Sequence, residues 1–112
     1  MANVRIQRLN HTFTEEISKI LMTEIKDANV KFVTITGCDI SSDLTSCKVY
    51  FTVFDLEKKQ VITESLKKAA PFIRKKLSQN IQIRHTPELR FTYDESVDYG
   101  SKIENILKEI KE

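Results

Sequence analysis

The 112-residue sequence holds only two glycines, two prolines, two cysteines and two histidines, and each shortage removes a class of protein. Gly37 and Gly100 stand far apart, so no loop has the glycine cluster that P-loop and dinucleotide sites need. Cys38 and Cys47 are too few for a disulfide scaffold, and no Cys-x-x-Cys pair serves zinc or redox chemistry. They flank an expected hairpin and can face each other across it; in a reducing compartment they read as small, half-buried strand residues. His11 and His85 fall in different elements, with no Cys-His or Ser-His signature around them. The acidic residues are scattered. No catalytic residue, cofactor or metal is therefore expected, and nothing calls for a small-molecule substrate.

Long apolar runs are absent too, which argues against a membrane-spanning helix. The opening residues lack the apolar stretch of a secretory signal, so a cytoplasmic protein is expected. Asn10-His11-Thr12 matches the glycosylation sequon, but a chain that is not exported does not meet that machinery. With 40% apolar and 30% charged residues, the chain has the composition of a folded globular protein, and its length suits one core. A single domain over residues 1–112 is expected.

The chain does carry a concentrated positive charge. The formal net charge is only +2, yet residues 57–80 hold seven basic and two acidic side chains. Every other stretch is neutral or slightly acidic. Such asymmetry suggests a polyanionic partner.

Apolar residues at Leu9, Phe13, Ile17, Ile20, Leu21 and Ile25 recur at helical spacing and predict a first amphipathic helix over about 4–26. Residues 31–40 and 47–54 are rich in β-branched and aromatic side chains and predict two strands. Between them, Ser41 to Ser46 is turn chemistry, so an antiparallel hairpin is expected. In the second strand Cys47, Val49, Phe51 and Val53 share one face, and the Phe and Tyr residues are expected to be core. Ile62, Leu66, Ala69, Ile73 and Leu77 then mark a helical stripe over 58–79. Pro71 falls inside it, lacking a backbone donor, so a kink or break is predicted near Ala69-Ala70. A third extended segment is expected to begin at 81 and run on to Tyr93, with Pro87 at an edge or bulge. A last amphipathic helix is expected over 103–110.

The stripe forces Lys67, Lys68, Arg74 and Lys75 to flank or oppose it. A new helix start at Pro71 would also offer free N–H groups to a phosphate. A solvated lysine-rich surface is the competing reading of the same residues. A further nucleic-acid reading, that residues 48–54 form a base-stacking strand, suffers from a missing glycine and the wrong strand order.

The order helix, strand, strand, helix, kink, helix, strand, helix resembles a type II KH domain. Particular stretches resemble the ribosome-binding factor A family. They are Arg5-Ile6-Gln7-Arg8, Glu16 to Leu21, Ser42-Asp43-Leu44, Lys48-Val49-Tyr50, Phe72-Ile73-Arg74, Thr86-Pro87-Glu88-Leu89 and Asp94-Glu95-Ser96-Val97-Asp98-Tyr99-Gly100. The resemblance implies an α+β, type II KH-like sandwich, with a three-stranded sheet and helices mainly on one face. It implies a non-enzymatic ribosome assembly factor that binds the immature small (30S) subunit and its 16S rRNA. Late maturation, rRNA processing and cold adaptation would follow, with the protein monomeric when free. Where the family replaces the KH Gly-x-x-Gly loop with an Ala-x-Gly kink, this sequence reads Ala69-Ala70-Pro71. The residues expected to face RNA are Lys67, Lys68, Ala69, Ala70, Pro71, Arg74, Lys75 and Lys76, helped by Arg84, His85, Arg5 and Arg8. The alternative is a protein-interaction module whose lysines only solubilise it.

Overall fold

A computed structural model describes residues 4–31 and 33–95. Among them helix α1 (Val4–Thr23) forms where Phe13, Ile17, Ile20 and Leu21 repeat along one face, and all four are buried. Asp27 ends this region by accepting from the Asn29 N–H and capping the short 3-10 turn Ala28–Val30. Strands β1 (Val33–Ile40) and β2 (Ser46–Val53) pair antiparallel, as the hairpin reading expects, with a bulge between Ile35 and Gly37. After the 3-10 turn Leu56–Lys58 comes helix α2 (Lys59–Asn80), then strand β3 (Glu88–Tyr93). Strand order is β1-β2-β3, with β3 parallel to β2. A parallel partner requires a crossover, and α2 supplies it.

The helices cover one face of the sheet. Phe13, Ile17, Ile62, Leu66, Ile73 and Leu77 from the helices join Cys47, Val49, Phe51, Leu89 and Phe91 from the strands in one core. Alternation along β2 buries Cys47, Val49, Phe51 and Val53 on that side, as expected. Phe51 lies at the centre, edge-on to Phe91 at 6.5 Å and to Tyr93 at 5.6 Å between ring centroids. Asn10, whose side-chain oxygen accepts from the Ile40 N–H at 2.9 Å, ties α1 to the end of β1. Not every aromatic is core, however: Phe54 is 95% exposed and Phe72 37% exposed. Phe54 follows the last residue of β2, so no pleat turns it inward.

Pro71 does not divide the second helical region in two, which corrects the expected break. One 22-residue helix runs through it. The reason is energetic. An internal proline costs about 3 kcal/mol, whereas Ile62 and Leu66 before it and Ile73 and Leu77 after it are buried on the same sheet. At roughly 1.5–3 kcal/mol for each buried side chain, the shared core keeps both halves within one continuous helix. Pro71 itself is exposed. The third extended segment is shorter than expected. Residues 81–87 are irregular and the strand begins only at Glu88. Pro87 cannot donate to a ladder, and β3 is an edge strand, as its proline suggests. The final helix expected over 103–110 lies outside the described residues.

The hairpin turn is held by Asp43. Its carboxylate accepts from the Ser41 and Thr45 hydroxyls at 2.7 Å each and from the Thr45 N–H at 3.1 Å. Those hydrogen bonds hold its pKa down to about 2. Leu44 beside it has φ 63°, a left-handed conformation disfavoured for branched side chains, and it is 41% exposed. Replacing it with glycine removes that cost, so Leu44→Gly is expected to stabilise the fold by about 1 kcal/mol, raising the thermal midpoint by about 4–8 °C. A lower midpoint would mean that the leucine side chain makes contacts worth more than its strained backbone. Cys38 and Cys47 are free thiols near each other on the inner face. The neighbouring Cys47 thiol lowers the Cys38 pKa, and the Cys38 thiol together with burial raises that of Cys47.

Candidate nucleic-acid interface

Alternation along β3 buries Leu89 and Phe91 against α2 and leaves Glu88, Arg90 and Thr92 exposed. The Glu88 N–H donates to Thr45 O and the Asp94 N–H to Phe51 O, so this set of backbone groups faces β2. The intervening groups of Leu89 and Phe91 therefore point to the outer edge, where no strand among the described residues pairs with them. Beside that edge α2 presents Lys67, Ala70, Pro71 and Arg74. Together these residues enclose a groove of about 390 Å³, with a floor of Ala70, Pro71, Leu89 and Phe91 and a rim of Lys67, Arg74, Glu88 and Arg90. Its apolar floor suits a flat ring and its rim suits phosphate.

A second depression of similar size lies across Pro71 and Arg74 from the first. Arg74, Lys75, Ser78, Arg84, His85 and Thr86 line it. The fold thus brings the irregular segment 81–87 against the basic face of α2. It places Arg84 and His85 beside Lys75. Lys67, Lys75 and Arg84 are exposed, and none has an ion pair among the described residues. Arg90 reaches only Glu88, at 4.0 Å and well exposed, a pairing worth little.

Other expected residues sit elsewhere or are engaged. Lys76 turns toward α1, 3.7 Å from the Glu24 carboxylate and 5.7 Å from the Phe72 ring centroid. The guanidinium of Arg74 donates from Nε at 3.0 Å and Nη2 at 2.7 Å to the Thr86 carbonyl. Lys68 is exposed and Ala69 half-buried, and neither lines the two depressions. Arg5 and Arg8 lie in the first turns of α1, outside both. Because α2 is continuous, the free N–H groups expected at Pro71 do not exist. Proline instead leaves the Lys67 carbonyl without its usual donor four residues on. Arg90 was not among the expected residues. Its exposed place between two core residues was readable, but its position beside α2 needs the parallel pairing of β3.

His11 Nε2 lies 2.7 Å from Glu15 one turn along α1, a surface pair. Among the described residues no cluster of metal-ligating side chains occurs. No described helix is long and apolar enough to cross a membrane.

Two described helices on one face of a mixed three-stranded sheet define an α+β, KH-like fold, with a basic-rimmed groove beside β3. The family model described as "Ribosome-binding factor A" matches residues 5–107. The chain belongs to the ribosome-binding factor A family. The ribosome-binding factor A of Halothermothrix orenii is 37% identical over 113 aligned positions, covering 100% of this chain and 93% of that protein. The crystal structure of ribosome-binding factor A from Thermus thermophilus superposes with a TM-score of 0.71 at 18% identity, over 79% of this chain and 94% of that one. A homology model of the Thermus thermophilus factor, fitted into an electron microscopy map of a 30S complex, matches with a TM-score of 0.63 at 19% identity, over 76% of this chain and 90% of that one. These relatives are named for binding and not for catalysis.

Proposed function

We propose that this chain is a non-enzymatic assembly factor that binds the immature small ribosomal subunit by its 16S rRNA and supports late maturation. The observation that carries the reading is a pair of adjoining depressions, one apolar-floored beside the β3 edge with Lys67 and Arg90 on its rim, the other lined by Lys75 and Arg84. Bases of a single strand have flat apolar faces and polar edges. A floor of Pro71, Leu89 and Phe91 takes the faces, and the outward backbone groups of β3 can take the edges. Cations on either side of Pro71 then follow the phosphates. A relative fitted into a 30S map supports the choice of partner.

Salt tests it. Each phosphate contact to single-stranded RNA adds about 0.7 to the log–log slope of affinity against salt. Four contacts make the slope near 3, so raising monovalent salt fourfold is expected to weaken binding to purified small subunits on the order of fiftyfold. Nucleotide-resolved crosslinks should map to rRNA. Salt-insensitive association that survives ribonuclease would instead favour docking to a protein.

A further inference from the structure

Residues 81–87 carry three exposed side chains, Gln82, Arg84 and His85, on irregular backbone. The segment is fixed at its start by the Ile81 N–H donating to Leu77 O at 2.9 Å. At its end the Glu88 N–H donates to Thr45 O at 3.0 Å. Between those points the backbone bends on itself once, with the Ile83 N–H donating to Ile81 O at 3.1 Å. Pro87 is fully buried and has no N–H to offer. Thr86, immediately before it, receives two donors from Arg74 on one carbonyl oxygen. A planar guanidinium can deliver two N–H groups to one acceptor in a fixed direction, and an ammonium cannot.

We infer that Arg74 is a positioning residue: it holds the 84–86 backbone against α2 so that Arg84 points into the depression beside Lys75. This rests on the proposed function, because it assigns Arg74 a part in the same interface. It separates two roles that charge alone would merge. Lys75 and Arg84 meet the polyanion. Arg74, with two of its donors committed to Thr86, meets the chain itself.

A double-mutant cycle on binding to purified small subunits tests the assignment. Arg74→Gln and Arg84→Gln are each expected to weaken binding about tenfold, the loss of one charge-assisted contact. The double variant should be no weaker than either single one, because Arg84 is already misplaced once Arg74 is gone. Arg74→Lys should fail to restore affinity, although a lysine would satisfy a phosphate. Thermal unfolding of every variant checks folding. If Arg74→Gln is unfolded at the assay temperature, Arg74→Lys replaces it in the cycle with the same expectation. Additive losses, near a hundredfold together, or rescue by Arg74→Lys, overturn the positioning role and make Arg74 a direct phosphate contact. Failure of the wild-type chain to bind subunits would instead overturn the functional reading, and this role with it.

Discussion

The triple variant Lys67→Glu, Lys75→Glu, Arg84→Glu is expected to lose co-sedimentation with small subunits while keeping its fold. These three cations line the two depressions on either side of Pro71 and Arg74, are exposed, and have no ion pair among the described residues. Reversal removes three attractions and adds three repulsions toward phosphate. The expected loss is on the order of a thousandfold or more, about tenfold for each contact removed. Exposed substitutions of this kind usually move stability by no more than about 0.5 kcal/mol each, so the thermal midpoint should stay within several degrees. The matched control is Lys19→Glu, Lys26→Glu, Lys31→Glu, which reverses as many cations away from both depressions. It changes net charge equally and should retain most of the binding. Equal loss in the two triple variants would show that overall charge, and not the groove, governs association. Arg74 and Lys76 are poor choices for such a test, because their replacement breaks contacts to Thr86 and Glu24.

Phe51→Ala is expected to have the largest effect on the fold. The ring is fully buried on the central strand and meets Phe91 and Tyr93 edge-on. Removing a buried phenylalanine ring costs about 3–5 kcal/mol, a large part of the ~5–15 kcal/mol that a domain of this size has in total. Denaturant unfolding should show the midpoint falling steeply with little change in slope. A loss under about 1 kcal/mol would mean that the ring sits in a loose pocket that collapses readily. Because Phe91 also forms the floor of the groove, the variant that still folds should bind small subunits less well.

The hairpin, both long helices and the inner face of β2 were legible because each follows one repeat, 2.0 or 3.6 residues, over many positions. Ile62, Leu66, Ile73 and Leu77 are a clear case, and all four are buried. Pro71 was misleading for the same reason that propensity often is. The rule about proline is local, whereas the core residues on both sides belong to one packed surface. Residues 81–87 read as strand because Ile81 and Ile83 alternate with polar neighbours. They are half-buried instead on a connecting segment, and a two-residue alternation is too short to tell these apart. For the candidate site, the charged segment was readable from charge, and Arg84 and His85 were readable as further basic residues close after it in the chain. Arg90, the apolar floor of the groove and the internal commitments of Arg74 and Lys76 were not. Each depends on which elements lie side by side, and one sequence does not state that β3 runs parallel to β2 under α2.

That parallel strand has a consequence for biosynthesis. β1 and β2 are neighbours along the chain and can pair as soon as Val53 leaves the ribosome. Among the described residues β3 pairs only with β2, reached after the whole of α2 has been made, and such distant pairings close late. The groove needs Leu89 and Phe91 from β3 and the depression beside it needs Thr86. A nascent chain with its hairpin, α1 and α2 therefore has Lys67 and Lys75 but neither of the two depressions. On the proposed function, the ability to engage a subunit arrives together with β3, and chains cut before it are expected not to compete with finished ones.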